Sequence, residues 1–422
     1  MNPFTVFALV IAWSTAVVGS QQPLPAAAPE KVGMSAERLA RIATALNEEI
    51  KRQSFPGAVA AIARRGQLVY FESFGFQDQR AGKRMPKDAI FRIYSMTKPW
   101  TSVATMMLVE EGRIRLTDPI SKFLPQLKSM QVSTMKSDPT SAKGAHAIVP
   151  TEREITIHDL LRHTSGFIYP EPEQPTELIE SYVKAGLGPD VEDEKFIATE
   201  WTEKASKVLL ADQPGTAFHY GISTDVLGRV LESATGKRLA TVLDERIFRP
   251  LQMVDSGFFV PGEKQGRLAQ AFDVDPDSGK KVELMDVSQV PGNDLGGGGG
   301  VSTVSDYLRF CQMLLAGGRL GGNRILSRTS VTYMTSDHLG AIPWAKGPPG
   351  YTFGLGFAVR TAAGLSAVPG SVGDFTWSGW AGTHFWVDPK EDLTAVIMIQ
   401  AAAARSNYGR LFRQLVYQAI AD

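Results

Sequence analysis

The chain has 422 residues, with Lys+Arg and Asp+Glu balanced at 44 each, 43 % hydrophobic and 21 % charged. The zero net charge offers no footprint for nucleic acid or an anionic membrane, and the composition is neither disordered nor fibrous. A single cysteine, Cys311, excludes an internal disulfide and a cysteine-cluster metal site; it lies in an apolar stretch and reads as a buried small hydrophobe.

At roughly 150 residues per domain the length suits two or three units, or one large two-part catalytic unit. Residues 4–18 form an apolar run of about fifteen residues, short for a bilayer-spanning helix and suited to a signal-peptide core. Small residues Val18 and Ser20 follow at cleavage-site positions, although the first basic residue is Lys31. The expectation is export to the periplasm or medium, with no stable membrane insertion after signal removal; the bland alternative is a disordered leader or an interfacial helix. Residues 1–29 are then signal and Pro/Ala spacer.

Residues 35–51 show helical spacing, with Ser35 as N-cap. Residues 58–63 and 68–75 read as a hairpin around Arg64-Arg65-Gly66. A short β-like stretch at 91–94 leads into a helix over 95–111 that is apolar nearly all round and hence buried, with Gly112 ending it. The middle holds helical fragments at 157–162, 176–185, 224–234 and 239–247, and an aperiodic surface excursion at 129–150. Five glycines, 296–300, read as a tight packed turn because an amphipathic helix over 302–315 follows at once. Strands at 355–360, 384–387 and 393–399 and a helix over 407–420 complete the chain. The expected fold class is α+β: an antiparallel sheet from N- and C-terminal segments (30–115 and 290–422), flanked by helices, with a mainly helical subdomain (116–289) inserted.

Three separated segments carry chemistry. Ser95-Met96-Thr97-Lys98 places a hydroxyl and an amine three residues apart on one helical face. Backbone N–H groups and the positive macrodipole end surround the hydroxyl there. That environment disfavours a second positive charge and favours Lys98 as a proton acceptor. The Ser-x-x-Lys pattern also occurs at Ser133, Ser181 and Ser278, but only Ser95 joins a strand-like segment to a buried helix. The second segment, residues 214–223, sets Tyr220 in a loop before a helix that Ser223 would cap; read alone, Tyr220 fits a cleft phenol or a core aromatic, and His219 a structural residue. The third, Trp377-Ser378-Gly379-Trp380-Ala381-Gly382-Thr383, fits an edge strand whose backbone approaches a ligand, or a glycine-rich turn with packed tryptophans.

Together with Val32-Gly33-Met34-Ser35, residues 160–166 (Leu-Leu-Arg-His-Thr-Ser-Gly) and residues 299–303 (Gly-Gly-Val-Ser-Thr), these segments resemble the serine β-lactamase and penicillin-binding-protein superfamily, most closely the family VIII carboxylesterases, which are similar to class C β-lactamases. The resemblance covers the chain from about residue 30. It implies Ser95 as nucleophile of an acyl-enzyme pathway, Lys98 and Tyr220 sharing the proton work, and an oxyanion hole from the backbone N–H groups of Ser95 and Trp380. Which of Lys98 and Tyr220 holds the mobile proton is left open, and the pair titrates as a unit. Trp377, Ser378 and Gly379 stand where the β-lactam enzymes carry Lys-Thr-Gly. An indole in place of an ammonium removes a partner for a substrate carboxylate and adds an apolar wall. Tyr220-Gly221-Ile222 lacks the amide of the class C Tyr-x-Asn pattern.

The chain has no Gly-x-Ser-x-Gly, no His-Glu-x-x-His and no phosphate-binding glycine motif. The leading expectation is a serine carboxylesterase for small to medium neutral esters, needing no cofactor or metal and binding a small-molecule ester. The alternatives are a β-lactamase, D-amino-acid peptidase, amide hydrolase or acyltransferase on the same site, and a non-catalytic penicillin-recognition-like binding protein.

Overall fold

A computed structural model describes residues 23–135, 146–188, 195–401 and 405–422. The apolar run at 4–18 lies outside them. Among the described residues no helix is long and apolar enough to cross a membrane.

The core is an eight-stranded sheet. Its order begins Tyr351–Phe353, Ala358–Arg360, Phe375–Ser378, His384–Asp388 and continues Leu393–Ile399, Gly57–Arg64, Gln67–Asp78, Lys83–Arg84. The pairs are antiparallel, so N- and C-terminal segments meet at its centre, where Val59 faces Met398 and Ala61 faces Val396. Both central strands are buried throughout, which is why 58–63 and 393–399 read as continuous apolar runs. The two faces feed separate cores. Ala58, Ala60, Ile62 and Ile397 pack with Leu39, Ile42 and Leu46 of helix Ala36–Lys51 and with Phe412 and Val416 of helix Arg405–Tyr417. Val59, Ala61, Val396 and Met398 pack with helix Val304–Leu315, including Phe310 and buried Cys311, and with helix Thr97–Glu110. Ser35 caps the first helix by accepting a hydrogen bond from Arg38 N at 3.2 Å.

Four local expectations are corrected. The stretch 129–150 is no aperiodic excursion: Gln131–Met135 pairs with His146–Pro150 and, in parallel, with Leu209–Leu210. Val132 and the adjacent Ser133 are both buried, so tertiary pairing overrides a weak alternation; residues 136–145 lie outside the described residues. Ser223 does not cap its helix. That helix spans Ser223–Thr235 after Ile222, with no side-chain cap, because the Ser223 hydroxyl pairs with Ser165 Oγ at 2.8 Å. The strand over 355–360 is shorter, Ala358–Arg360. Finally, Phe375–Ser378 is an interior strand over Phe375 and Thr376. Only Trp377 and Ser378, paired on one side with Phe385 and His384, have edge character.

Candidate active site

The helix that carries Ser95 and Lys98 begins as a 3-10 turn over Tyr94–Met96 and becomes α-helical over Thr97–Glu110. The late start keeps Ser95 and Lys98 one turn apart, with Lys98 Nζ 3.3 Å from Ser95 Oγ. Pro99 falls in the first turn, where its missing N–H leaves no bond unmade. Tyr94, just before Ser95, has φ +42°, a left-handed conformation unusual for a bulky residue.

Three chain segments clamp this turn. Ile93 N donates to Gly300 O at 2.9 Å. Tyr307 Oη donates to Met96 O at 2.8 Å. Thr383 Oγ1 donates to Ile93 O at 3.3 Å. The glycine run lies along the helix: Thr101 Oγ1 donates to Gly296 O at 2.8 Å, and Gly300 N donates to Thr97 Oγ1 at 2.9 Å. A methyl at Gly300 would sit 2.6 Å from Thr97 Oγ1 and 2.9 Å from the Trp100 ring. The run is thus a packed turn, as expected, because a Cβ at Gly300 would strike the helix Thr97–Glu110 and one at Gly297 would strike Asp225.

Lys98 is 1 % exposed, and its hydrogen-bond partners are neutral oxygens: Gly297 O at 2.7 Å, Tyr169 Oη at 3.1 Å and Ser95 Oγ at 3.3 Å. It lies 4.6 Å from the Tyr220 ring centroid and 5.3 Å from that of Tyr169, a cation–π arrangement for the ammonium form. Hydroxyl, amine and the Tyr220 phenol ring therefore gather around one nitrogen, with Tyr220 in the loop before helix Ser223–Thr235. Gly221 makes this possible: a methyl there would lie 2.5 Å from Phe167 O, so only glycine lets the Tyr169 segment approach Tyr220, whose rings stand 5.5 Å apart.

Trp380 follows the strand Phe375–Ser378 in the turn that closes on Gly379 N to Thr383 O, 2.8 Å. Its ring, 41 % exposed, packs edge-on against Tyr94 at 5.4 Å, which sets the third segment beside Ser95. Trp377 packs against Tyr220 at 5.4 Å and Phe353 at 5.2 Å. Ser378 is exposed and Gly379 has no space for a Cβ next to Ile93 O. His219 turns away, its Nε2 2.6 Å from Asp212 Oδ2.

Sequence reasoning missed two residues here. Tyr169, three residues past Gly166 with its φ of +89°, supplies the phenol oxygen that contacts Lys98; its position just after residues 160–166 was the available signal. Asp225, buried in the first turn of helix Ser223–Thr235, accepts from Gly297 N at 2.7 Å and so anchors the residue whose own carbonyl receives Lys98. Burial pushes its carboxyl up, opposed by the Lys98 charge and the Gly297 bond. Nothing short of the fold brings Asp225 to Gly297. His163 packs on the Tyr220 ring at 4.9 Å, and burial together with the Lys98 charge holds it well below the usual histidine range, hence neutral. Among the described residues no group of three or more His, Cys, Asp or Glu side chains could hold a metal ion.

Residues 39–418 match the Beta-lactamase family. Protein Rv1367c of Mycobacterium tuberculosis is 35% identical over 360 residues, 82% of this chain and 85% of that protein. Esterase EstB of Burkholderia gladioli is 27% identical over 385 residues, 87% and 92% of the two chains. Among solved structures, EstCE1, described as a hydrolase with promiscuous acyltransferase activity, superposes with a TM-score of 0.74 at 26% identity, covering 90% of this chain and 99% of that one. The chain belongs to the beta-lactamase family, as a serine hydrolase of the beta-lactamase and penicillin-binding-protein type whose relatives include esterases.

Proposed function

We propose that this hydrolase is a carboxylesterase for small to medium neutral esters, working through an acyl-enzyme on Ser95. The observation that carries the reading is the pairing of a Ser95–Lys98 contact of 3.3 Å with an indole wall at Trp377, packed on Tyr220 and Phe353, where a substrate carboxylate would need a cation. Ser95 Oγ attacks the ester carbonyl carbon and gives its proton to the Lys98–Tyr220 pair. The Ser95 and Trp380 backbone N–H groups stabilise the oxyanion. Collapse breaks the bond to the alcohol oxygen, which leaves with that proton; water repeats the sequence in reverse roles and frees the acid. Tyr169 and Gly297 hold the Lys98 amine in place for both halves.

A second reading, acyl transfer, draws support from the acyltransferase activity of EstCE1: an alcohol replaces water in the second half. Export remains our proposal for the apolar leader, and cell fractionation with N-terminal sequencing tests it: a chain retained in the cytoplasm with residues 1–18 uncleaved contradicts it. The test of function is kcat/KM on p-nitrophenyl butyrate against a chromogenic cephalosporin. The reading requires the ester to be preferred. A preference for the cephalosporin points to a β-lactamase, and failure of a fluorophosphonate to label Ser95 points to a binding protein.

A further inference from the structure

Beside Tyr220 lies a cluster of rings that the acyl-transfer chemistry leaves without a task. The Trp344 ring stands 5.0 Å from Phe218, 5.5 Å from Phe353 and 6.2 Å from Trp377. Phe353 in turn lies 5.3 Å from Phe218 and 5.2 Å from Trp377, and Trp377 closes the chain of contacts on Tyr220 at 5.4 Å. The spacing and tilted geometries are those of favourable aromatic pairs.

Trp344 belongs to a strap between Gly340 and Gly350, both left-handed with φ of +56° and +78°, which lets the chain double back over the site. Gly347 lies under the indole and donates its N–H to Trp344 O at 2.9 Å. Lys346 reaches Glu171 at 3.7 Å, tying the strap to the segment that follows Tyr169. Beneath it, Trp377 Nε1 is buried with no protein acceptor, so the ring offers this side of the site its apolar surface.

We propose that this ring cluster, capped by Trp344, is the subsite for the alcohol half of the ester, and that it selects flat apolar alcohols, aryl groups above all. The inference rests on the carboxylesterase reading. In that reading the leaving oxygen collects its proton at the Lys98–Tyr220 pair, so the departing alcohol lies along the Tyr220 ring and its neighbours Trp377 and Trp344. Trp344 touches neither nucleophile nor amine; it is a specificity residue, not a catalytic one.

The test uses the full chain and two ester series: acetates of ethanol, phenol and 1-naphthol, and p-nitrophenyl acetate, butyrate and 2,2-dimethylpropanoate. Each variant is compared with wild type on the same substrate, which cancels the intrinsic reactivity of aryl esters. Trp344→Ala should raise KM for 1-naphthyl acetate about tenfold with kcat nearly unchanged, and for ethyl acetate less than twofold. Within the p-nitrophenyl series the variant effect should be the same for every acyl group. Trp344→Phe should restore most of the aryl preference, and it keeps the test readable should the alanine loosen the strap. An effect that grows with acyl size, an equal loss on ethyl and naphthyl acetate, or no effect overturns the subsite while leaving the esterase reading intact. A wild-type protein that hydrolyses no ester overturns both.

Discussion

Gly379→Ala strikes the contact between the third segment and the nucleophile turn. A methyl at 379 would fall against Ile93 O and Thr383 Oγ1, about 1 Å inside the 3.4 Å at which ordinary contact begins. Ile93 is two residues before Ser95, and its carbonyl is already bound by Met96 N at 3.0 Å and Thr383 Oγ1 at 3.3 Å, so it has no slack in which to retreat. The strand must back away, carrying Trp380 N–H from the place where the oxyanion forms. A displacement of that size costs on the order of 10²-fold in rate, comparable to losing one oxyanion donor at about 3 kcal/mol. Because the lost interaction exists only in the transition state, kcat should fall about 10²-fold while KM moves little. Steady-state kinetics on p-nitrophenyl acetate, alongside a thermal melt, measure this; exposed Lys390→Ala, in the turn before strand Leu393–Ile399, is the control and should stay within about twofold. A Gly379→Ala enzyme with kcat within about fivefold of wild type and an unchanged melt would show that Trp380 N–H plays no such part.

Tyr220→Phe should lower kcat by at least the roughly 10²-fold typical of general acid–base groups, whereas Tyr169→Phe, which removes a hydrogen bond to Lys98, should cost about tenfold; the reverse order would make Tyr169 the proton carrier. Trp377→Lys should shift selectivity toward carboxylate-bearing substrates, read as the ester/cephalosporin ratio, and an unchanged ratio removes Trp377 from the specificity argument. Stability should fall on acidification below about pH 6.5, because buried His163 stays neutral in the folded state while its unfolded counterpart takes up a proton. One such difference contributes a slope of about 1.4 kcal/mol per pH unit. His158, held at about 4 mainly by burial, acts in the same direction down to that pH. Urea titrations between pH 6.5 and 4.5 on wild type and His163→Gln should give a shallower dependence for the variant; parallel curves would place a proton on folded His163.

The sheet was legible because its central strands are buried on both faces, so 58–63 and 393–399 advertise themselves by apolar content alone. The helix after Ser95 was legible for the same reason, and the glycine run through its immediate continuation into a helix. Residues 131–135 were not, since their strand character comes from pairing with Leu209–Leu210 and leaves little local alternation. Ser223 has the profile of an N-cap, yet Ser165, 58 residues earlier, takes its hydroxyl. Spacing and context singled out Ser95 and Lys98 among four Ser-x-x-Lys matches but left Tyr220 open; the roles of all three came from the family resemblance. Tyr169 and Asp225 could not be singled out, because a phenol after a turn and an acid in a helix's first turn acquire meaning only when the fold sets them against Lys98 and Gly297. Trp344 and Phe353, apolar residues in the excursion 341–375, suit a cleft rim, but the sequence does not place them; only the fold sets Trp344 on Phe218 and Phe353.

All of the proposed chemistry passes through a covalent bond to one oxygen. The decisive measurement is rapid-quench mass spectrometry of the full chain with p-nitrophenyl acetate. An acetyl adduct should accumulate within one turnover on the peptide bearing Ser95, vanish on chase, and be absent from Ser95→Ala. An adduct on another residue, or a Ser95→Ala protein that keeps a tenth of the hydrolytic rate, contradicts the account.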